Sequence, residues 1–266
     1  AYERLFQNFY PEGFDGWQRL EWATEQLKMS IRASRRLGTA NVSVLSGGFA
    51  WPYFYPWPQP PEGLYDEAFR ELGRRWSPVL LEARENGVTI GFELHPGGDL
   101  HDGVTFERFL DVVECHESAA ITYDPSHMLL QNMDYLEFIH IYHDKIACFH
   151  VKDAEFVKNG KSGVYGGFQP WAGRPGRFRS LGDGQVDFKS IFSLLTQYDY
   201  GGWAVLEWEC CLKSAEQGAA EGAGFIRRHI IRAAEGSFDD FAKSGVTKDE
   251  YPEILGYGKM KANQKR

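Results

Sequence analysis

Four apolar stretches of this chain each run straight into a residue that can bind a metal ion. "IGFELHPGGD" reaches Glu93 and His95, "AAITYDPSHM" reaches Asp124 and His127, "IACFHVKDAE" reaches His150 and Asp153, and "WAVLEWECC" reaches Glu207. One carboxylate at a strand end is ordinary; four such ends in succession require a common cause. The stretches are hydrophobic on both faces and are separated by segments of helical periodicity, the pattern of a parallel sheet wrapped by helices. In a βα barrel, functional side chains gather on the loops after the C-terminal ends of the strands. No GxGxxG follows the first strand, which argues against a dinucleotide-binding fold.

The spacing predicts helices over 17–37, 66–86, 105–116 (opened by Thr105 as N-cap), 134–144, 187–198 and 214–235. Strands are expected over 41–47, 88–94, 119–124, 145–151 and 202–208. Residues 1–16 and the Gly-rich stretch 159–185 read as loops. "FAWPYFYPWPQPPEG" cannot be regular structure, because its prolines remove donors and hold their neighbours extended. Its aromatic residues, Trp57 among them, are expected to fold over a pocket or against a partner subunit. The barrel domain is drawn as 1–235, with 236–266 as a C-terminal arm or tail.

Side-chain alternation places Glu93 and His95 on one face of their strand; His150 and Glu207 occupy matching positions on theirs. If those faces point inward, Glu93, Asp124, His150 and Glu207 converge. Three carboxylates cannot remain ionised together without a counter-charge, and one divalent cation supplies it. A mostly oxygen donor set with one imidazole suits Mn²⁺ first, with Mg²⁺, Co²⁺ or Zn²⁺ as alternatives. The net charge of −8 argues against a nucleic-acid partner. There is no apolar run long enough to span a bilayer. The four cysteines lack metal-site spacing and are expected as reduced thiols, in a cytoplasmic protein.

The order Glu, Asp-x-x-His, His-x-Lys-Asp, Glu, carried by "FELHPG", "YDPSH", "FHVKDAE", "LGDGQVDF" and "AVLEWE", resembles the xylose isomerase-like TIM-barrel superfamily over roughly residues 38–235. That superfamily includes sugar phosphate isomerases and epimerases, D-tagatose 3-epimerase, inosose dehydratase and the AP endonuclease type. The resemblance implies that the four strand-end residues hold one metal and that Glu93 and Glu207 serve as acid and base. It implies that His127 contacts substrate, and that Lys152 and Asp153 correspond to the His-x-Lys-Asp run of inosose dehydratase-like members. His95, Trp57, Trp171 and Arg179 complete the expected substrate contacts.

The expected activity is isomerisation or epimerisation of a keto-sugar or polyol by proton transfer. Dehydration or lysis of a keto-glycoside is one alternative, and a non-catalytic sugar-binding or partner-subunit barrel is another. Only five strands are legible where a closed barrel has eight. The expectation is therefore that strands one to three are missing from this chain, and that a homo-oligomer or a partner subunit covers the open sheet.

Overall fold

The computed structural model of the chain describes residues 11–231 and 245–257. Contacts divide it into two units, Ala1–Ile230 and Ile231–Arg266. The first unit holds the sheet. In the second, the described residues form a short 3₁₀ turn, Lys248–Glu250, which leads into a helix over Tyr251–Ile254. The rest of the expected arm, and residues 1–10 of the expected N-terminal loop, lie outside the described residues.

Five parallel strands carry the first unit: β1 (Asn41–Val44), β2 (Thr89–Glu93), β3 (Ala119–Tyr123), β4 (Ile146–Val151) and β7 (Trp203–Leu206), hydrogen-bonded in that order. Helices α1 (Gly16–Leu37), α2 (Leu64–Glu85), α3 (Gly103–Val112), α5 (Tyr135–Tyr142), α6 (Phe188–Gln197) and α7 (Ala215–His229) alternate with them. This is the parallel sheet with crossover helices that the apolar pattern required, in the half-barrel form that the strand count implied.

The outward face of the sheet packs on the helices. Phe92 of β2 meets Trp76 of α2 and Phe109 of α3 edge-on, at ring separations of 4.8 and 4.9 Å. Phe149 of β4 lies between Tyr123 of β3 and Phe192 of α6. Each of these buried rings contributes on the order of 1.5–3 kcal/mol by leaving water.

Three local features differ from the sequence expectation. Helix α3 is capped by Asp102, whose carboxylate accepts from the Thr105 N–H at 2.8 Å; Thr105 sits at the third helical position and completes a capping box. A short helix α4 (Pro125–Leu130) follows β3 directly, with Asp124 as its N-cap and Pro125 in its first turn. The supposed loop 159–185 contains β6 (Gly176–Arg179), which pairs antiparallel with β5 (Asp153–Phe156). Charge explains that hairpin: Glu155 accepts from Arg177 at 2.5 Å and from Arg179 at 2.6 Å.

Among the described residues no helix is long and apolar enough to cross a membrane. All four cysteines are free.

Candidate metal centre

Register brings the four expected donors together. Glu93 lies opposite Thr122, Thr122 opposite Cys148, and His150 opposite Val205. Asp124 follows Thr122 by two residues, His150 follows Cys148 by two, and Glu207 follows Val205 by two. Every offset is even, so all four side chains share one face. That parity depends on an irregularity. Ile121 pairs with Ile146 but Thr122 pairs with Cys148, which leaves Ala147 as an extra residue in β4. Without this bulge His150 would fall on the opposite face from Asp124.

One atom of each residue, an oxygen of Glu93, Asp124 and Glu207 and a ring nitrogen of His150, lies within 4.8 Å of all the others. A single ion bonded at about 2.0–2.6 Å to each donor spans such a set. The cluster also leaves buried polar atoms unpaired. Among the described residues, six buried side-chain nitrogen or oxygen atoms lack a hydrogen-bond partner, and four of them are Glu93 Oε1, Asp124 Oδ2, His150 Nδ1 and Glu207 Oε2. Buried polar atoms left unpaired are costly, and a concentration of them on one point fits a cation. His150 Nδ1 does stand 2.6 Å from Glu207 Oε2, but the two are not aligned as a hydrogen bond.

The second oxygens are engaged. Asp124 Oδ1 accepts from the backbone N–H of Ser126 at 2.8 Å and from its hydroxyl at 2.6 Å. Glu207 Oε1 accepts from Lys152 Nζ at 3.1 Å. Asp124 thus caps α4 with one oxygen and offers the other to the cluster.

The surrounding charges bear the marks of crowding. Burial pushes Asp124 up to about 6, against the pull of His127 and Lys152. Burial also raises Glu93, but His127 and His150 more than offset it and hold Glu93 well below the usual carboxylate range. For His150, burial is outweighed by Cys148, Glu207 and Glu93, which raise it to about 12. A proton therefore occupies His150 when no cation is present, and it must leave before the ring can ligate.

Lys152 is almost fully buried. Burial lowers its pKa, while Asp124, Glu207, Glu209 and Glu93 together raise it above its ordinary value, so it stays an ammonium. Its Nζ is 3.3 Å from His127 Nε2 and 3.3 Å from Glu209 Oε2. His127 Nε2 in turn lies 3.3 Å from Glu93 Oε1 and 3.4 Å from Asp124 Oδ2. His95 packs on His127 with ring centroids 4.2 Å apart, and burial lowers its pKa, which keeps it neutral.

Beyond His95 and His127, which form its wall, opens a cavity of about 680 Å³ that also takes in Trp51, Phe54 and Trp171. Three of the expected substrate residues lie away from the cavity or are engaged elsewhere. Trp57 does not line the cavity and is 78% exposed. Arg179 is engaged by Glu155 within the hairpin, while Arg174 reaches the cavity instead. The Asp153 carboxylate accepts from the backbone N–H groups of Ala154, Gly182, Gly184 and Val186, so it anchors a loop rather than a ligand. A Cβ on Gly184 would meet Asp153 Oδ1 at 2.2 Å, which explains glycine there.

Sequence reasoning missed Asp99. It is buried and accepts from the N–H groups of Phe49, Ala50 and Trp51 at 2.7–2.8 Å, which ties the aromatic loop to the end of β2. An aspartate after a Pro-Gly-Gly turn was the available signal.

The family model described as xylose isomerase-like TIM barrel matches residues 4–229. Among curated proteins, the inosose dehydratase of Glaesserella parasuis is 27% identical over 169 residues, 61% of this chain and 55% of that protein. That of Geobacillus kaustophilus is 29% identical over 176 residues, 64% of this chain and 55% of its own length. The chain thus spans about half the length of the curated relatives it matches. The solved 3-keto-D-glucoside 4-epimerase of E. coli superimposes with a TM-score of 0.61 at 16% identity, over 81% of this chain and 73% of that one. At that identity the likeness is one of fold.

Proposed function

The chain belongs to the xylose isomerase-like TIM-barrel family, and from that premise we propose that it is a dehydratase. In this reading it removes a proton beside the carbonyl of a keto-polyol and expels water from the next carbon. The observation that carries the reading is the buried ammonium of Lys152. Proton shuttling between two carbons asks for two carboxylates. Elimination asks in addition for an acid at the departing oxygen. A lysine kept charged in the interior costs several kcal/mol unless its partners compensate, and here Glu207 and Asp124 do so beside the donors. The dehydratase names of the curated relatives support the same reading.

Glu93, Asp124, His150 and Glu207 would hold the divalent ion, and three carboxylates with one imidazole favour Mn²⁺. When bound, that ion supplies Lewis-acid stabilisation of negative charge developing on the substrate carbonyl oxygen. Glu207 is the base. Burial raises its pKa, but His150 and Lys152 lower it further, so it is ionised and able to accept a proton. Lys152, with His127 against it, donates to the leaving hydroxyl. His95, neutral and next to His127, takes a substrate hydroxyl.

A second reading, epimerisation, draws on Glu93. This second carboxylate of the cluster is ionised, so in this reading it takes the α-proton on one face, and the Lys152 ammonium on the Glu207 side returns one to the other.

The test is incubation of the manganese-loaded protein with keto-inositols and keto-hexoses in deuterated water. Dehydration gives a product lighter by one water, and Lys152→Met should retain deuterium exchange at the α-carbon while losing that product. Inverted product with no water lost would favour epimerisation. No exchange with any ketone would overturn both readings.

A further inference from the structure

The cavity beside the donors has room and walls for more than a polyol ring. At about 680 Å³ it lies within the range of pockets that enclose drug-sized ligands. Its walls are aromatic. On one side Trp51 stacks on Phe54, with centroids 4.6 Å apart and planes within 8°. On the other, Trp171 packs on Phe178 at 5.0 Å and carries the Arg174 guanidinium at 4.7 Å. Phe54 and Trp171 are well exposed, a cost that a bound ring would remove.

Several of the polar groups on the cavity wall are already engaged. Gln131 donates to the His101 carbonyl at 2.9 Å, Arg174 donates to the Gln169 carbonyl at 2.8 Å, and Asp102 caps α3. A second, hydroxyl-rich sugar would find few partners there. A flat apolar ring would find faces to stack on.

Resting on the elimination reading, we infer that the substrate is a keto-sugar bearing an aromatic substituent through oxygen. The ketone lies toward the four donors, and the ring reaches past His95 and His127 into the cavity. Where that substituent occupies the β-carbon, the elimination balances without a redox partner. The α-proton passes to Glu207, the C–H electron pair becomes the new C=C bond, and the C–O bond breaks. The aryl-oxygen takes a proton from Lys152, releasing a phenol and an unsaturated ketone.

The experiment compares methyl, phenyl and naphthyl keto-glucosides with a keto-disaccharide, using the manganese-loaded protein in deuterated water. Calorimetric binding of the same compounds to metal-free protein provides a second readout. We expect kcat/KM and affinity to favour the aryl compounds over methyl by about tenfold, the scale of one or two aromatic contacts. Trp171→Ala and Phe54→Ala, both at exposed rings, should each collapse the aryl-to-methyl ratio towards one. Equal use of methyl and aryl compounds, or preference for the disaccharide, would overturn the inference. Aryl preference with deuterium exchange but no released phenol or water would retain the substituent pocket and reject elimination.

Discussion

Strands β3 and β7 each deliver a carboxylate to the same cluster from opposite surroundings. Every residue of β3 is buried, and Asp124 at its end is sealed among α4 and its neighbours. On β7, Trp203 and Val205 are 59% and 40% exposed, and the Glu207 side chain remains 30% open. Packing and a helix cap hold Asp124. Glu207 is held by polar partners: Lys152 on its side chain, and the Val151 carbonyl, which accepts its backbone N–H at 3.3 Å. The difference separates two duties. The central strands fix donor geometry, and the edge strand supplies the carboxylate that a substrate can approach.

The strongest way to break this comparison is to attack the packed side. Phe149 is fully buried on the outward face of β4, one residue before His150. Phe149→Ala should destabilise the chain by about 3–5 kcal/mol in urea denaturation, the usual range for a large core ring. A cost below about 1 kcal/mol would mean that the central strands do not carry the fold.

Next in size is the reacting carboxylate. Glu207→Gln is nearly isosteric and can still accept from Lys152, but it removes one counter-charge of that buried ammonium, so stability should fall by about 1–3 kcal/mol. Turnover should fall at least about a hundredfold, the scale of losing a positioned base, or roughly 2.7 kcal/mol. Near-normal turnover at full metal loading would remove Glu207 from the reaction.

Asp124→Ala sharpens the contrast from the other strand. It removes a donor and the N-cap of α4 together, so weaker manganese binding should be accompanied by a stability loss of about 1 kcal/mol in the metal-free protein. Asp124→Asn, whose side chain can still cap α4, should weaken manganese binding without a comparable stability loss. Equal stability losses for the two would show that the cap contributes nothing.

The same contrast marks how far the sequence could be read. Alternation along each apolar run was enough to place Glu93, Asp124, His150 and Glu207 on facing strand ends, because parity within a strand is local. The extra residue at Ala147 was not legible. A bulge is a property of pairing between strands, and nothing in "KIACFH" announces it. The β5–β6 hairpin escaped for a related reason, since the partners Glu155 and Arg177 are separated by a Gly-rich stretch with no periodicity. Trp57 and Trp51 look equivalent in sequence. Only the three N–H bonds to Asp99 show which end of the aromatic segment is pinned over the cavity.

The smallest expected effect bears on whether the edge strand is open in solution. Val205→Thr keeps the β-branch, and with it the strand preference, while it replaces a methyl with a hydroxyl. At a water-exposed position this should change stability by no more than about 0.5 kcal/mol. Under a covering surface the hydroxyl would lie buried without a partner and cost about 1–3 kcal/mol. Denaturation of the variant and the parent at several protein concentrations separates the cases. A small loss that does not vary with concentration leaves β7 as the open side of the site. A large loss at high protein concentration that shrinks on dilution, as the copies separate, would mean that a second copy of the chain covers this face, and substrate would then have to reach Glu207 from the cavity side.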